Sequence, residues 1–306
     1  MAKRLPIFKD ANLQKTFETK GFVVIPDFIS AEQINHLDSF FDKHHPNLPL
    51  GGFNSDSYLS DFELKELSSN EILKTFTSSY ERVFQNYQAF GGSFLYKMPA
   101  DDSELVMHQD WTIVDEEQYV AINCWVPLCD TSIENGTLMV LPGAHYDALP
   151  VHRAPTLDFF FKDNENIIRS KLIPLEVKAG TAVILNQSLV HFSPPNKSDK
   201  IRKAITAGIK SEGAPMLFYY KNPDKQNELE LFTMDENFLI RFDNFFQDIF
   251  KRPEHGMFIK NVAYTLPQFS AQELEILVNK MLNNAGYKKA ITEKSFTKRL
   301  MKKVFG

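Results

Sequence analysis

The sequence predicts a mainly β protein, a sandwich or barrel with flanking helices. Short strand-like runs follow one another between residues 93 and 209, and turn signals such as Glu134-Asn135-Gly136 separate them. Apolar residues at helical spacing precede these runs and return after about residue 235. We therefore expect a single domain over residues 1–306, with a helical N-terminal flank, a β core at about 90–212 and a helical C-terminal extension at about 235–306.

Three helices and one strand are predicted before the core. The helices cover residues 10–20, 31–43 and 62–89, and the β-branched run at 21–25 reads as a strand. Residues 46–60 are rich in Pro, Gly, Asn and Ser, which predicts a loop. Ser30 with Gln33 has the pattern of a capping box at a helix start, and Ser270 with Glu273 repeats it.

The core strands are predicted from short apolar, β-branched runs between turn residues. They cover residues 93–98, 119–128, 137–141, 172–177, 182–186 and 204–209. Beyond them, the apolar spacing predicts helices at 236–250 and 270–285.

Charge, apolar runs and cysteine spacing argue against several classes of protein. The net charge of −5 gives no electrostatic case for nucleic acid, and no apolar run reaches the roughly 18 residues of a spanning helix. The N-terminus lacks the apolar core of a signal peptide. Cys124 and Cys129 fit neither a redox pair nor a zinc quartet, so two reduced thiols and a cytoplasmic location are expected. We interpret one basic stretch as a solvated helix face: Lys298, Arg299, Lys302 and Lys303.

A candidate metal site begins at His108-Gln109-Asp110. In a strand, residues i and i+2 project to the same face, so His108 and Asp110 can bind one metal together. His191, between a predicted buried strand and a Ser-Pro-Pro turn, is the best third ligand. Two nitrogens and one carboxylate leave open positions suited to iron(II), a co-substrate and O₂, whereas structural zinc takes a fourth protein ligand. A His-x-Asp pair also arises by chance, as a hydrogen-bonded surface pair.

Arg202 follows His191 by 11 residues and opens the next strand. A guanidinium that projects into a barrel is unfavourable unless it is paired. Its fork matches a carboxylate, and the distal carboxylate of 2-oxoglutarate is the natural partner beside an iron site. The alternative is a surface arginine at a strand edge.

With these motifs, the chain resembles the phytanoyl-CoA dioxygenase family of iron(II)- and 2-oxoglutarate-dependent oxygenases, from about residue 10 to 212. In chain order, the matching segments are GFVVIPDFISAEQI, Lys97-Met98-Pro99, His108-Gln109-Asp110, Trp125 to Leu128, Glu134 to Leu138, Leu141 to His145, and His191-Phe192-Ser193 with Asn196 and Arg202. Ala144 stands where serine is commoner in the family.

The resemblance implies a double-stranded β-helix, the cupin-like jelly roll. It implies that Fe(2+) is held by His108, Asp110 and His191. It also implies that Arg202 and Ser193 hold the distal carboxylate of 2-oxoglutarate.

Two further expectations concern the co-substrate site and the type of reaction. Trp125 is expected near the 2-oxoglutarate, and Asn123 shares its face by strand parity. Related halogenases have Gly or Ala at the position of Asp110. A retained carboxylate therefore favours hydroxylation, or another oxidation that begins with hydrogen abstraction.

The substrate is expected to be a small molecule such as a natural-product intermediate, an amino-acid derivative or a lipid. Trp111 and Arg153 are the predicted contacts, within candidate loops 111–118 and 144–170; a third candidate is 51–54. We interpret Gln109 and His145 as structural. Two alternative functions stay open: a non-catalytic metal-binding protein, and a zinc or manganese isomerase or hydrolase on the same fold. The oligomeric state, monomer or homodimer, also stays open.

Overall fold

Antiparallel strands form the centre of the computed structural model, which describes residues 4–287. In chain order they are β1 (Phe22–Ile25), β2 (Phe53–Ser55), β3 (Tyr87–Lys97), β4 (Leu105–His108), β5 (Ala121–Pro127), β6 (Met139–Val140), β7 (Ile173–Pro174), β8 (Ala182–Asn186), β9 (His191–Ser193), β10 (Arg202–Ser211), β11 (Met216–Tyr220), β12 (Glu228–Met234) and β13 (Met257–Ala263). The α-helices are α1 (Ala11–Lys20), α2 (Ala31–His44), α3 (Phe62–Val83), α4 (Glu165–Arg169), α5 (Phe245–Asp248) and α6 (Ala271–Asn284).

Two of the sheets pack face to face as a jelly roll. The larger has the strand order β1-β8-β5-β10-β3-β2, and the smaller has the order β4-β9-β6-β7. Trp125 and Leu185 of the larger sheet share a buried cluster with Val140 of the smaller one. This arrangement confirms the predicted fold class, a mainly β jelly roll with flanking helices.

Strand alternation decides which side chains face the site. In β5, Ile122, Cys124 and Val126 join the core between the larger sheet and the N-terminal helices. Asn123 and Trp125 point to the opposite face because successive strand residues alternate. Cys124 is buried, Cys129 is half-buried, and both are free thiols, as the sequence predicts.

Both predicted capping boxes are confirmed. Ser30 and Gln33 cap α2, and Ser270 and Glu273 cap α6. The predicted end of the third helix at residue 89 is wrong. The helix ends at Val83, Asn86 takes a left-handed φ of 52°, and the chain enters β3 at Tyr87. The loop predicted at 46–60 contains the short strand β2.

The C-terminal extension is only partly helical. Helix α6 agrees with the prediction at 270–285, but residues 236–250 hold only a 3₁₀ turn, Phe238–Ile240, and the short α5. Strands β11, β12 and β13, which the sequence did not predict, form a third sheet. The basic stretch at 298–303 lies outside the described residues. Within residues 4–287, no helix has both the length and the apolar character that crossing a bilayer requires.

Candidate active site

Strand pairing assembles the candidate metal ligands. Strands β4 and β9 are antiparallel, and His108 lies directly opposite His191. Asp110 follows the end of β4 by two residues. Its Oδ1 is 3.6 Å from His108 Nε2 and 3.8 Å from His191 Nε2. The ligand atoms of all three residues lie within 4.8 Å of one another, a spacing that one metal ion can bridge.

Backbone carbonyls orient both imidazoles. His108 Nδ1 donates to Val106 O at 2.7 Å, and His191 Nδ1 donates to Leu189 O at 2.9 Å. A carbonyl can only accept, so each Nδ1 carries the proton. Each Nε2 then keeps a lone pair directed toward Asp110, which is the tautomer that a metal ligand needs.

Asp110 is held as an anion. Burial raises its pKa, but His191, His108 and the amide of Asn123 outweigh this and hold the pKa well below its usual range. Asn123 Nδ2 donates to Asp110 Oδ2 at 3.1 Å, and Thr206 Oγ1 donates to Asn123 Oδ1. Burial, followed by the neighbouring His108, lowers the pKa of His191 to about 4. An anionic carboxylate and a neutral imidazole are the protonation states that bind a metal.

Arg202 is a buried cation with no counter-ion among residues 4–287. It begins β10 and is only 2% exposed. Its Nε and Nη1 have no hydrogen-bond partner within residues 4–287, and its Cζ lies 5.7 Å from the ring centroid of Trp125. Burial lowers its pKa to about 10, so it is still charged at neutral pH. A buried cation in this state favours an anionic ligand that can accept from its fork.

One cavity of about 540 Å³ connects these groups. Most of the predicted site residues line it: His108, Asp110, Trp111, Asn123, Trp125, His191, Ser193 and Arg202. The rest of the wall is largely apolar, a common character of small-molecule sites.

Arg153, predicted to contact substrate, lies behind this cavity rather than on its wall. Its Nη1 and Nη2 each donate to Glu116 at 2.7 Å, and Nε donates to Asp110 O at 2.9 Å. The side chain is 3% exposed and its fork is fully occupied. This geometry favours a role in holding the segment after Asp110 over a role in substrate contact.

Lys97 supports the site from outside the cavity, a role that the sequence analysis did not assign to it. The side chain is fully buried, and its Nζ donates to Ser103 O at 2.6 Å, Ser193 O at 2.9 Å and Pro194 O at 2.6 Å. Burial, followed by Arg202, lowers its pKa to about 6. Lys97 thus fixes the turn after His191. In the sequence, Lys97 stands out only as part of the Lys97-Met98-Pro99 segment that resembles the family.

Gln109 and His145 make structural contacts, in line with their interpretation. Gln109 Nε2 donates to Ser188 O at 2.5 Å, although its side chain also lines the cavity. His145 Nε2 bonds with Glu18 O at 3.0 Å, at the end of α1 and outside the cavity.

The chain is similar to known proteins in sequence and in fold. The phytanoyl-CoA dioxygenase family model matches residues 17–204. Phytanoyl-CoA dioxygenase 1 of Oryza sativa subsp. japonica is 23% identical over 255 residues, covering 63% of this chain and 86% of the relative. Phytanoyl-CoA dioxygenase domain-containing protein 1 of Danio rerio is 32% identical over 202 residues, covering 63% and 62%. The structure of EvdO2 from Micromonospora carbonacea var. aurantiaca complexed with 2-oxoglutarate shares the fold, with a TM-score of 0.50 at 18% identity over 68% of this chain and 94% of that one.

Proposed function

Because the chain belongs to the phytanoyl-CoA dioxygenase family of iron(II)- and 2-oxoglutarate-dependent oxygenases, we propose that it hydroxylates a small molecule. The reaction consumes 2-oxoglutarate and O₂ and releases succinate and CO₂. One observation carries the proposal. A 2-His-1-carboxylate triad lines the same cavity as Arg202, which has no counter-ion in the part of the chain that the structure describes.

The residues present fit both groups. His108, Asp110 and His191 would hold iron(II), since two neutral imidazoles and one carboxylate form the facial set typical of such oxygenases. The orphaned Nε and Nη1 of Arg202 would receive the distal carboxylate of 2-oxoglutarate. Bound iron(II) with 2-oxoglutarate supplies the activation of O₂ that oxidises a C–H bond.

The remaining residues orient these groups. Ser193 lines the same cavity and would help to hold the distal carboxylate of 2-oxoglutarate, and Trp125 packs under the Arg202 guanidinium. Asn123 fixes the outer oxygen of Asp110 and borders the same space. Trp111 would contact the substrate and exclude water. Because Asp110 fills the third ligand position, hydroxylation is favoured over halogenation.

We propose that residues 1–306 act as one oxygenase domain in the cytoplasm. The shared cavity supports a single unit, because its wall combines core residues with residues 239–250 of the C-terminal extension. The free thiols of Cys124 and Cys129 are consistent with a reducing compartment.

The test is anaerobic reconstitution with iron(II) and 2-oxoglutarate, followed by exposure to O₂. We expect a visible absorption band that needs both components, and succinate that forms in proportion to the 2-oxoglutarate consumed. His191→Ala should abolish both signals. The matched control is His36→Gln, because His36 is an exposed histidine paired with Glu71 and should leave both signals intact. If the wild-type protein gives neither the band nor succinate, the proposal fails.

A further inference from the structure

Charged side chains are scarce on the cavity wall. Apart from the metal triad and Arg202, no Lys, Arg, Asp or Glu of residues 4–287 lines it. All four of these groups are already assigned to iron and 2-oxoglutarate. A substrate ammonium or carboxylate would therefore lose its hydration here without gaining a counter-ion, which is strongly unfavourable.

The polar groups that remain on the wall are neutral. Ser55 Oγ is 2.7 Å from Ser57 Oγ and 2.9 Å from Ser93 Oγ, so these hydroxyls satisfy one another. Tyr58 lies next to them and presents a phenol. These groups can form hydrogen bonds with a hydroxyl, ether or carbonyl of a ligand, but they do not neutralise a charge on the ligand.

Much of the apolar wall comes from the segment 236–250, which we call the cap. It follows the family-matched region, which ends at residue 204. Leu239, Ile240, Phe245, Ile249 and Phe250 of the cap line the cavity. Phe250 is also 54% exposed, which places it at the cavity mouth. This part of the entrance is therefore apolar as well.

Aromatic rings join the cap to the core of the site. The Phe245 ring lies nearly parallel to the Trp111 ring, with 6.1 Å between centroids and 11° between planes. Phe242 meets Trp111 edge to face at 6.2 Å. Flat or alicyclic ligand surface packs well against such faces.

Two buried lysines fix the cap. Lys65 Nζ donates to Phe242 O at 2.7 Å, and Lys210 Nζ lies 3.3 Å from Glu236 Oε1. Both lysines are only 2% exposed. Since the start and the middle of the cap are tied to the core, the apolar wall exists before a ligand binds and can select among ligands.

We propose that the substrate of this site is an uncharged, predominantly apolar small molecule with an aromatic or alicyclic body that packs on Trp111 and Phe245. This rests on the proposed function, which assigns Arg202 to 2-oxoglutarate and leaves the wall under the cap for the substrate. Amino-acid derivatives with free charges are thereby disfavoured relative to neutral lipids and neutral natural-product intermediates.

The two tryptophans of the chain allow a direct test, because Trp111 and Trp125 both line the cavity. Full-length protein is loaded with Zn(II) and saturated with 2-oxoglutarate. It is then titrated with methyl 4-phenylbutanoate, 4-phenylbutanoate and 4-phenylbutylamine, while tryptophan fluorescence is recorded. The three probes share one apolar body and differ in charge.

We expect the neutral ester to bind at least tenfold more tightly than either ion. Trp111→Phe should remove the response to the ester and keep the response to 2-oxoglutarate. Phe245→Ala should weaken binding of the ester about tenfold, because the aromatic packing is lost. Phe258→Ala, which removes a 45%-exposed phenylalanine away from the cavity, is the matched control and should change nothing.

The outcomes separate the two proposals. If either ion binds as tightly as the ester, or if the ester does not bind up to its solubility limit, the inference about the substrate is overturned. An ester affinity that is unchanged in Phe245→Ala also overturns it. If 2-oxoglutarate itself gives no response, the proposed function fails instead.

Discussion

Replacing Arg202 by methionine should move stability and co-substrate binding in opposite directions. Nε and Nη1 of Arg202 have no partner within residues 4–287, and each buried unsatisfied group costs about 1–3 kcal/mol. Methionine keeps much of the volume without the charge. It loses the stacking on Trp125 at 5.7 Å, which is worth about 0.5–2 kcal/mol. With mid-range values, about 4 kcal/mol gained for the two unsatisfied groups and about 1 kcal/mol lost from the stacking, the ligand-free variant should be more stable by about 3 kcal/mol. For 306 residues this corresponds to roughly 5 °C in Tm.

Binding of 2-oxoglutarate should fall in the same variant. Removing one partner of a buried, hydrogen-bonded charge pair costs about 2–5 kcal/mol. At 1.4 kcal/mol per tenfold, this weakens affinity by a factor of about 30 to 4000. Differential scanning fluorimetry under anaerobic conditions with iron(II) measures both effects. A ligand at 100 times its Kd stabilises the wild-type protein by about 2.7 kcal/mol, and Arg202→Met should lose this shift.

Lys210→Met is the matched control, because Lys210 is an equally buried cation with partners. Its Nζ donates to Gln88 Oε1 at 2.6 Å and to Ala214 O at 2.8 Å. Loss of these bonds should lower Tm and leave the shift caused by 2-oxoglutarate unchanged. If Arg202→Met instead lowers Tm and keeps that shift, Arg202 is a structural cation and the reasoning is wrong.

Three further substitutions test other contacts. Asn123→Ala should weaken Zn(II) binding about 10- to 100-fold in calorimetry, because Asp110 loses the donor that orients it; unchanged affinity would contradict this. Arg153→Met leaves Glu116 buried and unpaired and should lower the free energy of unfolding by about 3–5 kcal/mol in denaturant titrations. Adding Glu116→Leu should restore most of the lost free energy of unfolding. If the double variant is as unstable as Arg153→Met, the pairing of Arg153 with Glu116 is refuted. Hydrogen bonds from neighbouring side chains outweigh burial and lower the pKa of Glu230 from 4.5 to about 2. Its stabilisation is therefore present above pH 4.5 and is lost as pH falls toward 2, so the Tm deficit of Glu230→Gln should shrink over that window; a deficit independent of pH would argue against this.

The metal ligands could be predicted from the sequence where they lie close together along the chain. His108 and Asp110 lie two residues apart, and a strand end places them together whatever surrounds them. His191 needed the pairing of β4 with β9, which the sequence suggests only through the turn after the predicted strand. Arg153 shows the limit. Its partner Glu116 is 37 residues away, so no local pattern reveals that the guanidinium is occupied.

The sequence predicted the fold where short apolar runs alternate with turn residues. It did not predict the fold where tertiary contacts outweigh the helical spacing of apolar residues. Phe238, Phe242 and Phe245 recur at intervals typical of a helix. In the structure these rings pack on Trp111 and Phe218 instead. The helix does not continue through Asn244, which precedes α5 and whose backbone N–H donates to the carboxylate of Asp248. Aromatic contact across the chain, rather than helical propensity, decides this segment.

The cavity therefore has two functional parts that differ in origin. The family-matched region, residues 17–204, contains the metal triad and Arg202, whereas the cap contributes Phe245. Arg202 packs on Trp125 and Phe245 packs on Trp111, so the two side chains share no partner in these contacts. Substitutions at sites without shared partners usually add within about 0.3–0.5 kcal/mol. Arg202→Met and Phe245→Ala should therefore add in free energy of unfolding when combined. A larger departure would show that the cap and the co-substrate site are coupled through the cavity, and that substrate selection by the cap is not independent of 2-oxoglutarate.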